Sequence, residues 1–176
     1  MNKHSLLYIS EIETPVGTMT LIGNDMGICQ IDFGTKEEQE TKLKNWAKKH
    51  FLCANFETNS EKLVELEKQL QEYFAGERKE FNVPYQFYGT PFQKKVWNAL
   101  LNIPYGETRS YKDIAHEIKS PKAVRAVGGA VNKNPLSVIV PCHRVIGSNG
   151  ALVGYNGGLD KKEFLLKHEN IPISQL

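Results

Sequence analysis

Apolar positions alternate from Leu6 to Ile12, stop at Pro15-Val16-Gly17, resume from Thr18 to Ile22, stop again over Asn24 to Gly27, and run from Ile28 to Phe33. Three short β-rich runs divided by turn residues predict a small antiparallel sheet. The period then lengthens. Leu43, Trp46 and Ala47 stand at helical spacing within residues 36–49. A second helix follows, with Ser60 as its expected cap, Leu63, Leu66, Leu70 and Phe74 along one face, and Gly76 as its stop. These stripes are core positions, and this half shows no chemical motif, internal repeat or low-complexity stretch.

Residues 77–89 lose helical period, contain a proline and predict a linker. Thr90-Pro91 then opens a helix with a capping hydroxyl and proline at its first position, and Phe92, Val96 and Leu100 form its buried line up to Pro104. Two short helices come next at helix-turn-helix spacing. Ser110 caps the first, in which Tyr111, Ile114, Ala115 and Ile118 make a stripe, and Ser120-Pro121 starts the second. In that second helix Val124, Val127 and Val131 share one side, while Arg125, Gly128, Gly129 and Asn132 share the other. Two glycines inside a helix cost roughly 1 kcal/mol each relative to alanine. A face with so little bulk around one arginine suits a backbone that approaches a groove; the competing reading is a packing glycine pair.

Asn134-Pro135 ends that helix, and Val138-Ile139-Val140-Pro141-Cys142-His143-Arg144-Val145 reads as a buried strand delivering a cysteine. Only a thiolate attacks well, and a free cysteine near pKa ~8.5 is mostly protonated at neutral pH; a neighbouring imidazole and cations lower that value. The bland alternative is a small apolar core residue, and adjacent strand residues point to opposite faces. Ser148-Asn149-Gly150 is a hairpin-type turn, Gly154 to Gly158 a glycine-rich loop with one aromatic, and a last helix carries Leu159, Leu165 and Leu166 to His168-Glu169-Asn170.

Composition narrows the class. With 176 residues, 40% hydrophobic and 24% charged, the chain has room for one medium or two small globular domains. No apolar run approaches the ~20 residues of a membrane span, and the start lacks a secretory core, so an intracellular, cytoplasmic protein is expected. Three scattered cysteines suggest neither a disulfide framework nor a zinc ribbon. His4, Cys29, His50 and Cys53 match no strong ligand spacing, so no metal and no cofactor is expected. The charge is uneven: residues 1–89 carry 10 Lys/Arg against 14 Asp/Glu, and residues 90–176 carry 12 against 6. A basic second half holding the candidate nucleophile points to a polyanionic partner; the alternative is a lysine-rich solvated surface.

Arg125-Ala126-Val127-Gly128-Gly129-Ala130, Asn134-Pro135, Ile139-Val140-Pro141-Cys142-His143-Arg144-Val145-Ile146 and Gly154-Tyr155-Asn156-Gly157-Gly158-Leu159 together resemble the O6-alkylguanine-DNA alkyltransferase family. The likeness covers residues 90–170, with Pro-Cys-His-Arg-Val as its specific core. It implies an α+β protein: a ribonuclease-H-like α/β domain over residues 1–85, then a mainly helical domain over 86–176 with a winged-helix-like helix-turn-helix and the active-site cysteine. It also implies direct-reversal repair, in which Cys142 takes the alkyl group of O6-alkylguanine, and of O4-alkylthymine, and is consumed. His143 takes the thiol proton through a water, with Glu169 orienting the imidazole. Tyr111 donates a proton to the base, and Asn134 braces the active-site strand. Tyr155, Asn156 and Val145 line the substrate. Arg125 fills the place of the flipped nucleotide, with Ala126, Gly128, Gly129 and Ala130 beside it and Tyr111 in the minor groove of double-stranded DNA. Nothing demands more than a monomer.

Two other classes fit parts of the chain. A lesion-binding sensor would lack the cysteine that Cys142 supplies, and a Cys-His hydrolase leaves the basic helix unexplained.

Overall fold

A computed structural model of the chain describes residues 5–51, 54–58 and 60–173. Two compact units emerge, Met1–Tyr88 and Gly89–Leu176. In the first, β1 (Ser5–Thr14), β2 (Gly17–Asn24) and β3 (Gly27–Phe33) form the expected antiparallel meander. After α1 (Lys36–His50), β4 (Ala54–Thr58) pairs parallel with β1, giving the order β3-β2-β1-β4. This strand corrects the purely antiparallel expectation. Its five residues are too short and polar to alternate visibly, but a helix that crosses the sheet returns the chain in the direction parallel pairing needs.

Helices cover both sheet faces, so β1 is buried on both sides from Leu7 to Ser10. Leu43 and Ala47 of α1 pack with Leu7, Ile9, Ile22 and Cys29. The other helix does not begin with a capped α-turn at Ser60. A 3-10 turn (Ser60–Leu63) precedes α2 (Val64–Phe74), whose start has no side-chain cap. Leu63, Leu66, Leu70 and Tyr73 are essentially inaccessible, so Tyr73 completes the stripe expected to end on Phe74. Phe74 instead stacks edge-on against it with ring centroids 5.2 Å apart.

Residues 77–89 are not a free linker. Ile28 N–H donates to the Pro84 carbonyl at 2.9 Å, Gln86 N–H donates to the Ile28 carbonyl at 2.9 Å, and Gln69 exchanges two hydrogen bonds with the Asn82 backbone. Gly27, at φ +140°, permits this docking: a Cβ there would lie 2.7 Å from the Pro84 backbone.

In the second unit Thr90 and Gln93 form a capping box at the start of α3 (Pro91–Leu100). Val96, Trp97 and Leu100 are buried, and Trp97 Nε1 donates to the Ala130 carbonyl at 2.9 Å. Ser110 and Asp113 cap α4 (Tyr111–Glu117) in the same reciprocal way. The expected start of the next helix at Ser120-Pro121 is a turn closed by Ala123 N–H on the Ser120 carbonyl, and α5 runs over Val124–Asn132. That delay exposes Val124, while Val127 and Val131 stay buried. A two-residue ladder of β5 (Arg109–Ser110) with β6 (Val145–Ile146) and the helix α6 (Leu159–His168) complete the unit. Leu165 and Leu166 are buried and Leu159 is exposed. No helix among the described residues is long and apolar enough to cross a membrane.

Trp97, buried in the core, ties α3 to α5 through its one polar atom. Trp97→Ala should cost about 3–5 kcal/mol of unfolding free energy, and Trp97→Phe should cost less by retaining an aromatic ring; equilibrium urea unfolding reads both.

Candidate active site

Cys142 is not delivered by a strand. Asn134, at the end of α5, starts a tight turn in which Val140 N–H donates to the Leu136 carbonyl at 2.9 Å and Val138 adopts φ +75°. A β-branched residue in that region stores of order 1–3 kcal/mol and persists only where its surroundings impose it. Pro141 (φ −81°, ψ 61°) makes an inverse γ-turn closed by Cys142 N–H on the Val140 carbonyl at 2.8 Å. Cys142–Arg144 then form one 3-10 turn. The strand reading fails because Pro141 cannot donate a ladder bond and this backbone hydrogen-bonds to itself. It also removes the objection to Cys-His adjacency, since at three residues per turn the neighbours do not oppose one another.

Asn134 organises the turn. Its Nδ2 donates to the Val140 carbonyl at 2.8 Å and to Cys142 Sγ at 3.1 Å, while its Oδ1 accepts Leu136 N–H at 3.0 Å. Cys142 is 3% exposed. Burial pushes its thiol above the usual value, against the Asn134 hydrogen bond, the Lys162 charge and a hydrogen bond from Tyr155. This corrects the expectation of a thiol lowered at rest: neighbours pull downward, but desolvation of the anion prevails. The sulfur therefore needs a base.

His143 is that candidate. Its ring is fully buried, with Nε2 2.7 Å from Glu169 Oε2, and Nδ1 meets no protein partner among the described residues. Burial pushes its pKa below the ordinary value despite the hydrogen bond and charge of Glu169. Glu169, just past the end of α6, is buried too. Burial pushes its carboxyl up, but His143 and Arg144 outweigh that and hold it well below the usual carboxylate range.

Fully buried Lys162, whose charge also acts on Cys142, donates from Nζ to the carbonyls of Val145 at 2.5 Å, Val153 at 3.1 Å and Gly154 at 3.1 Å. Burial pushes it down to about 8. The Tyr111 hydroxyl donates to the same Val153 carbonyl at 2.8 Å, and burial pushes that phenol up to about 12. Lys162 and the Val145 carbonyl form a contact the sequence did not suggest; a lysine amid a helix of Lys161, Lys162 and Lys167 reads as solvated. Arg144 is likewise buried against the expectation for an arginine, and its place directly after Cys-His is the one sequence signal of that.

The remaining expected residues divide. Cys142, His143, Glu169, Asn134, Tyr111 and Tyr155 converge in the second unit. Val145 is buried there, its carbonyl taken by Lys162. Asn156 is exposed in the loop. On α5, Arg125, Ala126 and Gly129 are exposed, and Gly128 faces Tyr111, where a Cβ would lie 3.8 Å from its ring. Ala130 departs from the expected open face: it is 4% exposed and packs toward Trp97. Ser148–Gly150 is a turn closed by Gly147 N–H on the Ala151 carbonyl, but β6 pairs with β5 in parallel rather than forming a hairpin. No group of three or more His, Cys, Asp or Glu that could hold a metal occurs among the described residues; His4 and Cys53 lie outside them. Cys29 is core, its thiol pushed up to about 12 by burial.

Two family models match the chain: the ribonuclease-like domain of 6-O-methylguanine DNA methyltransferase over residues 7–87 and the DNA binding domain of the same proteins over residues 91–171. The chain is 48% identical over 163 residues to a methylated-DNA–protein-cysteine methyltransferase of Methanosarcina acetivorans, covering 93% of this chain and 98% of that one. It is 47% identical over 165 residues to the constitutive enzyme of that name in Bacillus subtilis, covering 93% and 96%. A crystal structure of Mycobacterium tuberculosis OGT in complex with DNA is similar at a TM-score of 0.75, with 41% identity over 93% of this chain and 92% of that one.

The depressed His143 value has a consequence for stability. In the unfolded chain a histidine takes up a proton near pH ~6.5, whereas the folded site resists it. The stabilisation from its neutral form is thus complete above that pH and is lost as pH falls toward the lower folded value. The urea midpoint should fall between about pH 7.5 and 5.5, and fall less in His143→Gln, whose side chain does not titrate.

Proposed function

The chain belongs to the 6-O-methylguanine DNA methyltransferase family, and from that premise we propose that it repairs alkylated DNA by transferring the alkyl group of O6-alkylguanine to its own Cys142. The observation that carries this reading is the buried Cys142 turn, braced by Asn134 and backed by the His143–Glu169 pair. His143 Nδ1 accepts the thiol proton through a bridging water, because Nε2 is committed to Glu169. The Sγ–carbon bond forms as the carbon–O6 bond breaks. The guanine gains one proton as the cysteine loses one, so the exchange balances without a cofactor. Tyr111, whose phenol stays protonated at neutral pH, hands the departing base its proton once its hydroxyl leaves Val153, and the proton taken up by His143 is returned through solvent to the phenolate. The thioether does not return the alkyl group, so each molecule acts once.

A lesion in a duplex must leave the stack to meet a buried sulfur, at a cost of a few kcal/mol. The exposed, small-residue face of α5 lets its backbone approach the minor groove, and Arg125 fills the vacated position. Gly128, Gly129 and Ala126 keep that face low, and Tyr155 with Asn156 closes over the alkyl group. Minor-groove entry suits a protein that ignores sequence, since that groove carries a degenerate code. One molecule suffices for the chemistry, and a protein that needs a free thiol to act on chromosomal DNA belongs in a reducing cytoplasm.

Mixing the protein with a duplex containing one O6-methylguanine should add a single methyl group to the Cys142 peptide, saturating at one per protein by mass spectrometry. Tight lesion binding without that mass gain would place the chain among damage sensors instead. Arg125→Ala should slow repair in duplex DNA by roughly 10-fold or more, on the scale of a lost unstacking aid, while reaction with free O6-benzylguanine stays near wild type. Equal loss on both substrates would remove Arg125 from flipping.

A further inference from the structure

The roles proposed above leave the buried charge of Arg144 unused. Arg144 donates from Nε to Glu169 Oε1 at 2.7 Å, from Nη2 to Glu169 Oε2 at 3.1 Å, and from Nη1 to the Ile103 carbonyl at 2.7 Å. Its Cζ lies 5.6 Å from the centre of the Tyr105 ring. Glu169 Oε1 also receives Gly106 N–H at 3.4 Å. The carboxylate is thus gripped on both oxygens, and His143 meets the Oε2 that Arg144 also holds.

We propose that Arg144 is a positioning residue that keeps Glu169 a carboxylate and so fixes His143 in the tautomer whose Nδ1 can accept the Cys142 proton. The argument is one of charge. An isolated carboxylate cannot stay ionised in a dry interior without a cation or several donors. The charged groups around the imidazole are Glu169 just past the end of α6, Lys162 from α6 and Arg144 from its own turn. Lys162 spends its donors on carbonyls. His143 can give Glu169 a charge only when protonated, and burial pushes it toward its neutral form. The permanent cation touching Glu169 is therefore Arg144.

The tautomer follows from the carboxylate. An ionised Glu169 can only accept, so Nε2 must carry the hydrogen and Nδ1 keeps its lone pair. A protonated Glu169 would donate through Oε2 to Nε2 and move the ring hydrogen to Nδ1. That nitrogen would then be a donor, unable to take a proton from the sulfur. The planar guanidinium fork suits the task because it fixes the carboxylate plane as well as its charge, which a lysine ammonium cannot do.

The catalytic consequence rests on the direct-reversal reading, whereas the tautomer can be read without any alkyl transfer. In protein labelled with 15N-histidine, NMR near neutral pH should find His143 protonated at Nε2 and bare at Nδ1. Arg144→Met should move that proton to Nδ1 and slow the reaction with O6-benzylguanine by about 10²-fold, the lower range for loss of a general base. Arg144→Lys should keep the wild-type tautomer and recover part of the rate. Arg144→Met with an unchanged tautomer would overturn the proposal, whatever its stability. Should Arg144→Met not fold, His143→Gln, which retains the Arg144–Glu169 pair, gives a second reading. There the 13C signal of the Glu169 carboxyl should stay ionised below about pH 4, and titration at or above the ordinary value of ~4.3 would overturn it equally. A wild-type protein that shows these signals but gains no methyl group from damaged DNA would refute the repair reading and leave this one standing.

Discussion

The buried carboxylate of Glu169 is the constraint on which the second unit turns. Removing a charge from water costs several kcal/mol unless partners replace the solvent. Here the partners are His143 and Arg144, 26 and 25 residues earlier in the chain. The site cannot exist until α6 has docked, because that helix carries Lys162 to the Val145 carbonyl and leads directly into Glu169. Lys162 in turn ties three carbonyls, those of Val145, Val153 and Gly154, so the loop carrying Tyr155 is held by the helix that follows it. Chemistry and fold share one set of contacts. Removing one partner of such a cluster leaves another charge stranded, which is why its members are not independent.

The helix-turn-helix is joined to this cluster by short polar links rather than by packing alone. Trp97 fixes α5 from behind through the Ala130 carbonyl, and Asn134 at the far end of α5 reaches directly to Cys142 Sγ. Tyr111, the first residue of α4, shares the Val153 carbonyl with Lys162. The surface proposed to meet DNA therefore lies on the helix just beyond whose end Asn134 holds the sulfur proposed to react. On the repair reading this fixes the distance between the stack and the nucleophile, a distance a flexible connection could not hold.

How much of this could be read from the chain depended on what kind of signal each part left. The meander and α1 were visible because their apolar periods are long enough to register. The strand Ala54–Thr58 was not, since its place comes from the crossover and not from its own residues. Val138–Val145 misled in an instructive way. A β-branched run looks like a strand, but Pro141 and the Asn134 side chain turn its backbone inward, and only tertiary hydrogen bonds show that. The caps at Thr90 and Ser110 were legible from local chemistry alone, and the structure adds the reciprocal bonds of Gln93 and Asp113. Ala130 appeared to belong to the low face of α5, yet its burial depends on where Trp97 lies. Arg144 and Lys162 carried no local sign of burial, because charged side chains read as surface until a partner 25 residues away, or a ring of carbonyls, is seen.

The state of the resting thiol gives the site its character. Were desolvation weaker, Asn134, Lys162 and Tyr155 would pull the Cys142 thiol down toward the thiolate, which is more open to any oxidant or electrophile. Burial reverses that balance and leaves the sulfur protonated, with a neutral imidazole as the adjacent base. Reactivity then waits on an event that lets the proton move to His143 while a carbon stands in line with the sulfur. For a protein that reacts once and is not regenerated, this arrangement matters more than raw nucleophilicity, since every side reaction consumes a molecule. A more acidic thiol would attack its target no better per encounter, because nucleophilicity falls along with pKa. Thus the same burial that raises the thiol also reserves it for the substrate able to enter.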